Sequence, residues 1–166
     1  HSNTLLWNEA RKPGSEIIFE PVSFSHPLWV LYSSGTTGLP KPIVQSHGGI
    51  LLELLKSLTF HNNLKPDDRF FWFTTTGWMM WNYLVSGLLV DTTILLFDGS
   101  PAYPDIKTIW KFAEQSRMTY FGTSASYIQG CIKQGIKPNA EFNLRSLSSL
   151  GSTGSPLAPE GFQWIY

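Results

Sequence analysis

The chain has a single cysteine in 166 residues. This excludes an internal disulfide framework and any zinc site built from several cysteines. It makes a reducing, cytoplasmic setting the expected one. There is no surplus of either charge: 12 basic residues balance 12 acidic ones, for a formal net charge of +0. Nucleic-acid binding proteins carry a basic surplus or stripe, so no nucleic-acid partner is expected. No polybasic run marks an anionic membrane surface, and no short apolar stretch carries the basic flank of a signal peptide. The longest uncharged run, residues 70–90, is long enough for a bilayer. Thr74-Thr75-Thr76-Gly77 breaks it, however, and Asn82, Ser86 and Gly87 dilute it. It reads as a buried strand, a turn and a helix, and no membrane span is expected. Internal repeats and low-complexity tracts are absent.

Charge is scarce altogether, at 14% of residues where about 25% is usual. Aromatics, also 14%, include 7 tryptophans. So much apolar surface with so little charge points to faces that something else covers. The chain opens on His1-Ser2-Asn3, without an initiator Met, and closes on Trp164-Ile165-Tyr166. Both ends read as cuts within a larger protein, so the remainder of the same chain is expected as a partner.

Residues 1–27 look irregular, punctuated by Pro13-Gly14, Pro21 and Pro27. Residues 28–166 read as an α/β unit. Leu28 to Tyr32 is an apolar run of β-formers, hence a buried strand, and Pro42 to Gln45 continues as a second strand. Ile50, Leu51, Leu54, Leu55 and Leu58 recur at helical spacing, behind Gly48-Gly49 and ahead of Asn62-Asn63. His47, between strand and helix, reads as structural. Strands are expected at Arg69–Phe73, Thr93–Phe97, Met118–Phe121 and Leu144–Leu150, with a largely buried helix over Trp78–Leu89. Pro104 suits the first turn of a helix whose Ile106, Ile109, Trp110 and Ala113 form one face and whose Lys107, Lys111, Glu114 and Arg117 form the other. Ser124 is placed to cap a helix running through Ile132 and stopping at Gly135. Cys131 falls in an apolar helical context and reads as packing, not as a nucleophile. His26, His61 and Asp67-Asp68 show no metal-ligand or triad spacing, so no metal site is expected from them. Strands alternating with helices imply βαβ units and a mostly parallel sheet flanked by helices. Ligands of such sheets bind beyond the carboxyl ends of the strands.

Two loops of small residues follow strands. The first is Tyr32-Ser33-Ser34-Gly35-Thr36-Thr37-Gly38-Leu39-Pro40-Lys41. Gly35 and Gly38 let the backbone approach a ligand closely. Successive N–H groups can form an anion-binding nest. Four hydroxyls and Lys41 complete a kit suited to a polyphosphate. The string is neither a Walker A loop, since Pro42 follows the lysine, nor the G-x-G-x-x-G dinucleotide fingerprint. On composition alone a surface turn remains open. The second loop is Gly151-Ser152-Thr153-Gly154-Ser155-Pro156.

Taken in order, the first string resembles the phosphate-binding signature of the adenylate-forming superfamily, which comprises acyl-CoA synthetases, firefly-type luciferases and peptide-synthetase adenylation domains. The resemblance continues in register. Thr74-Thr75-Thr76-Gly77-Trp78 is similar to the Asp-x-Gly-Trp stretch of the acetate-activating branch. Asp98-Gly99 resembles the acidic-Gly pair after that branch's next strand. Leu150 to Leu157 resembles its Gly-Ser-x-Gly-Glu-Pro loop. His26-Pro27-Leu28-Trp29, Trp78-Met79-Met80-Trp81-Asn82 and Gly154-Ser155-Pro156-Leu157 look most like the acetoacetate-activating branch.

The resemblance implies a section of the superfamily's large N-terminal domain and a two-step reaction. A small carboxylate attacks the α-phosphate of ATP, bound with Mg2+, and releases pyrophosphate. Coenzyme A then displaces AMP. It implies that Ser33, Ser34, Gly35, Thr36, Thr37, Gly38 and Lys41 hold the phosphates, with Thr36, Thr37 and Lys41 acting as pyrophosphate leaves. It implies that Gly154, Ser155 and Pro156 lie against adenosine, and that Trp78, Met79, Met80 and Trp81 border the acyl group. The chain departs from the pattern at Ser155, commonly Glu, at Thr75, where the acetate branch has Asp, and at Pro42, commonly a small residue. The superfamily's later Tyr-Gly-x-Thr-Glu and Thr-Gly-Asp motifs, its hinge and its C-terminal lysine are not among these residues. The expectation is therefore that the piece alone does not turn over. A ligase for acetate, propionate or butyrate, and a non-catalytic nucleotide-binding module, are the alternatives.

Overall fold

The computed structural model describes residues 4, 6–11, 14, 16–33 and 38–166. One helical turn, α1 (Trp7–Ala10), precedes an antiparallel hairpin of β1 (Pro27–Ser33) and β2 (Lys41–Ser46). Helix α2 (His47–Lys56) follows and widens into a π-type turn over Ser57–His61. Then come β3 (Arg69–Trp72), α3 (Met79–Val85), β4 (Thr93–Leu95), α4 (Thr108–Ser116), β5 (Tyr120–Ser124), α5 (Ala125–Lys133), the single turn α6 (Pro138–Glu141), β6 (Ser149–Thr153) and α7 (Pro159–Ile165). Four strands form one sheet in the order β4-β3-β5-β6, every pairing parallel.

Side chains alternate across a strand, and β3 shows the consequence. Phe70 and Trp72 enter one core with Leu54, Leu58, Leu64, Met80, Leu84 and Tyr120, under α2 and α3. Phe71 enters the other with Ile109, Trp110, Ala113, Phe121 and Cys131, under α4 and α5. With both faces covered, β3 and β5 are buried along nearly their whole length, as parallel strands are. The expected mostly parallel α/β architecture is therefore present from β3 onward.

Several local expectations are corrected. The run Leu28–Tyr32 is a strand, but it belongs to a separate two-stranded ribbon and is largely exposed: Val30 and Tyr32 are 45% and 69% accessible. Ser33 and Lys41 accordingly pair within this ribbon and belong to no strand of the parallel sheet. The cap of α2 is Ser46, whose hydroxyl accepts from the Gly49 amide at 3.2 Å. His47 is the first helical residue, and its amide donates to the His26 carbonyl at 2.9 Å. Helix α3 ends at Val85, and the tighter turn that follows leaves Leu88 and Leu89 exposed. Pro104 lies ahead of α4: the Asp105 carboxylate accepts from the Lys107 amide at 2.8 Å and holds a turn before the helix starts at Thr108. Strand β5 begins at Tyr120, not Met118; Thr119, just ahead of it, accepts the Arg69 amide through its side chain at 2.9 Å. Strand β6 starts at Ser149, not Leu144. Leu144 and Leu147 close a turn (2.9 Å) that packs both against the second core. The α5 expectation holds: Ser124 accepts from the Tyr127 amide at 3.2 Å, and Gly135, with φ +67°, follows the helix. No helix among the described residues is long and apolar enough to cross a membrane.

Candidate functional site

Because β3, β5 and β6 run parallel, their carboxyl ends share one edge, where ligands of such sheets collect. Strand β3 delivers residues 73–78, β5 delivers Ser124, and β6 delivers Gly154. The edge is tied by the Phe73 amide, which donates to the Gly122 carbonyl at 2.9 Å, and by the pairing of Ser124 with Thr153. The 73–78 loop is held by its own threonines. The Thr74 hydroxyl donates to the Thr75 carbonyl at 2.9 Å, and the same carbonyl accepts the Trp78 amide at 3.3 Å.

The structure brings two of the predicted segments together. A Cβ on Gly154 would lie 4.0 Å from the Trp78 ring, and Gly154 holds φ +89°, a conformation that favours glycine. Ser155 and Pro156 continue this turn and are exposed. Trp78 and Met79 are exposed at 38% and 50%, free to meet a ligand. Met80 points the other way, into the core beneath α3, and Trp81 packs half-buried against that core. Gly151, Ser152 and Thr153 belong to β6 and not to the loop.

The phosphate-loop prediction falls partly outside the described residues: Ser34, Gly35, Thr36 and Thr37 are among those not described. Their neighbours are described. Ser33 ends β1 and pairs with Lys41, the first residue of β2, so the hairpin ties the two ends of the loop together. Both side chains are exposed, and Gly38 holds φ +154°. Among the described residues no cluster of three or more His, Cys, Asp or Glu side chains could hold a metal.

Behind the edge lies a layer that the sequence did not single out. Trp72 closes β3, and in register with it stand Gly122 of β5 and Gly151 of β6. The indole occupies the space a side chain on either glycine would need. The Tyr120 hydroxyl donates to Asn62 Oδ1 at 3.3 Å, while Asn62 Nδ2 donates to Tyr83. Burial pushes the Tyr120 pKa up to about 12. Trp72 Nε1 and Ser152 Oγ are buried without a hydrogen-bond partner. Isolated glycines inside strand patterns, at 122 and 151, were the available signal, since they mark close approach of another group. Cys131 is fully buried, accepts from Trp110 Nε1 at 3.4 Å, and its thiol is pushed up by burial. That rules against a thiolate nucleophile.

Comparison with known proteins agrees with this geometry. A family described as AMP-binding enzyme matches residues 2–166. The chain is similar to acetoacetyl-coenzyme A synthetase of Rhizobium meliloti (strain 1021), with 51% identity over 150 residues, covering 90% of this chain and 23% of that protein. The Danio rerio acetoacetyl-CoA synthetase is 42% identical over 151 residues, covering 91% and 22%. Among solved structures, acetoacetyl-CoA synthetase from Streptomyces lividans superposes with a TM-score of 0.84 at 58% identity, covering 91% of this chain and 23% of that one. The chain thus spans less than a quarter of the length of the curated relatives it matches.

Proposed function

The chain belongs to the AMP-binding enzyme family, and on that premise we propose that it supplies the phosphate loop and the acyl-side edge of an ATP-dependent acid–CoA ligase acting on acetoacetate. The observation that carries this reading is the meeting of Trp78 and Gly154 at the carboxyl edge of the parallel sheet, two segments that the superfamily's pattern assigns to acid and adenosine. The relatives' names supply the acid. In the reaction a carboxylate oxygen of the acid bonds to the α-phosphorus of ATP, and the bond to the bridging oxygen breaks as pyrophosphate leaves. Coenzyme A sulfur then takes the acyl carbon and AMP departs.

The parts of this chain have distinct tasks. Charge builds on the departing β- and γ-phosphates, so catalysis rests on positioned donors and cations. Lys41 and the hydroxyls of Ser33, Ser34, Thr36 and Thr37 are the donors available for it. Mg2+, when bound with ATP, screens the same phosphates; no residue here is assigned to it. Trp78 and Met79 shield the acid from water, and the exposed turn at Gly154–Pro156 faces the nucleoside. A cytoplasmic, reducing location suits a chain whose one cysteine is a free thiol.

ATP–pyrophosphate exchange on the full-length ligase carrying this segment tests the reading. Exchange should be fastest with acetoacetate among acetate, propionate, butyrate and acetoacetate. A faster alternative acid would correct the substrate, and no exchange with any of them would overturn the reaction. Lys41→Ala should slow exchange by about 10²-fold while leaving thioester formation from preformed acyl-adenylate near wild type. Equal losses in both half-reactions would remove Lys41 from the pyrophosphate-leaving step.

A further inference from the structure

Trp72, Gly122 and Gly151 occupy the last row in which β3, β5 and β6 all pair; beyond it only β5 and β6 continue, through Thr123–Ser152 and Ser124–Thr153. Trp72 is 6% exposed. Its six-membered ring spans the row. A Cβ on Gly122 would overlap the ring, and one on Gly151 would come within 2.9 Å of it and 2.8 Å of the Tyr120 hydroxyl. The two glycines are therefore the complement of one indole. On the other side the ring meets Tyr83 edge-on, at a centroid distance of 5.7 Å. The indole N–H, on the ring edge away from the carbons that meet the glycines, has no partner. Shape alone, not a hydrogen bond, holds this group.

The position matters more than the packing. Beyond this row lies the edge at which Trp78 stands beside Gly154 and Met79 is exposed. Met80, one residue on, shares the Trp72 core. A chain entering between Trp78 and the β6 turn would run toward the three-strand row, where the indole fills the space that two glycines leave open.

We propose that Trp72 is a specificity-determining residue: its indole, seated on Gly122 and Gly151, is the floor that limits the ligase to short acids. The inference rests on the acid–CoA ligase reading and adds the residue that sets acyl length. A tryptophan over paired glycines is a removable plug, since shortening it would vacate space that no side chain of Gly122 or Gly151 can fill. One methylene more or less in a hydrophobic pocket changes discrimination by about 10- to 200-fold, so the effect is measurable.

The test is ATP–pyrophosphate exchange by the full-length ligase with acetoacetate, butyrate, hexanoate and octanoate. Trp72→Leu should raise kcat/KM for hexanoate relative to acetoacetate by at least about tenfold, and Trp72→Phe by less. A structural defect would lower exchange with all acids alike, so an unchanged hexanoate-to-acetoacetate ratio in both folded variants overturns the proposal. Should Trp72→Leu fail to fold, Trp72→Phe decides alone: a shift toward hexanoate supports the floor and an unchanged ratio overturns it. Wild-type enzyme inactive on every acid defeats the ligase reading and this inference together. Active wild type with unmoved variants defeats only the inference.

Discussion

Tyr120 and Tyr127 show how burial turns an ordinary side chain into a pH-dependent stabiliser. Tyr127 donates its hydroxyl to the Ile106 carbonyl at 2.7 Å, and burial, followed by the nearby Cys131, pushes its pKa up. Tyr120 is pushed up to about 12, first by burial and then by Tyr83. An unfolded tyrosine ionises near pH 10. Above that pH the unfolded chain gives up protons that the folded chain keeps. The stabilisation is therefore fully present below about pH 10 and is lost as pH rises toward the folded values. Urea midpoints should fall between about pH 10 and 12, and Tyr120→Phe should flatten part of that fall. A midpoint independent of pH across the window would show that neither hydroxyl is shielded. Lys107 and Glu141 form an exposed ion pair that raises one pKa and lowers the other through their shared hydrogen bond. Exposed pairs of this kind contribute little.

Among the elements, α5 is the one whose boundary chemistry is simplest to test. Ser124 is both the last residue of β5 and the cap of α5, so one hydroxyl joins the sheet edge to a helix that buries Ala125, Ile128 and Cys131. Ser124→Ala should cost about 1 kcal/mol in urea unfolding. Ser126→Ala, at the exposed partner 2.8 Å away, should stay within about 0.5 kcal/mol; equal losses would show that the hydroxyl pair, not the cap, holds the turn. The β1–β2 ribbon shows the opposite case. Its apolar residues read as a buried strand, yet in this chain they form an exposed two-stranded ribbon. Composition records what a face is built to meet, and cannot say whether the neighbour lies within the same stretch of chain. At β6 the boundary differs because Leu144 and Leu147 are held by a local turn, which no periodicity shows.

For the molecule as a whole, one four-stranded sheet separates two cores, and Phe121 sits at the middle of the larger. It is fully buried, edge-on to Trp110 at 4.8 Å and tilted against Phe71 at 5.7 Å. Phe121→Ala should cost about 3–5 kcal/mol, read as a single shifted transition by tryptophan fluorescence and far-ultraviolet dichroism. Two separated transitions would mean that the two faces of the sheet unfold independently. The low charge and high aromatic content acquire a partial explanation at this scale. Many of the aromatics fill the two cores in edge and tilted pairs, while Trp7, Phe19, Phe24 and Phe60 remain exposed at 76%, 85%, 62% and 80%.

The sequence by itself determined the family and, with shifted boundaries, the run of elements. Glycines, hydroxyls and a lysine in one order are a local chemical code, and helical spacing or a serine cap needs only neighbouring residues to be legible. Only the tertiary structure decided which strands share an edge, and therefore that Trp78 meets Gly154, that Met80 turns away into the core, and that Trp72 fills the space above Gly122 and Gly151. The contacts of Trp78 and Trp72 join residues about 50 to 80 positions apart in the chain. Parallel pairing requires a crossover between partners, so register places side by side residues that no local pattern in the chain can relate.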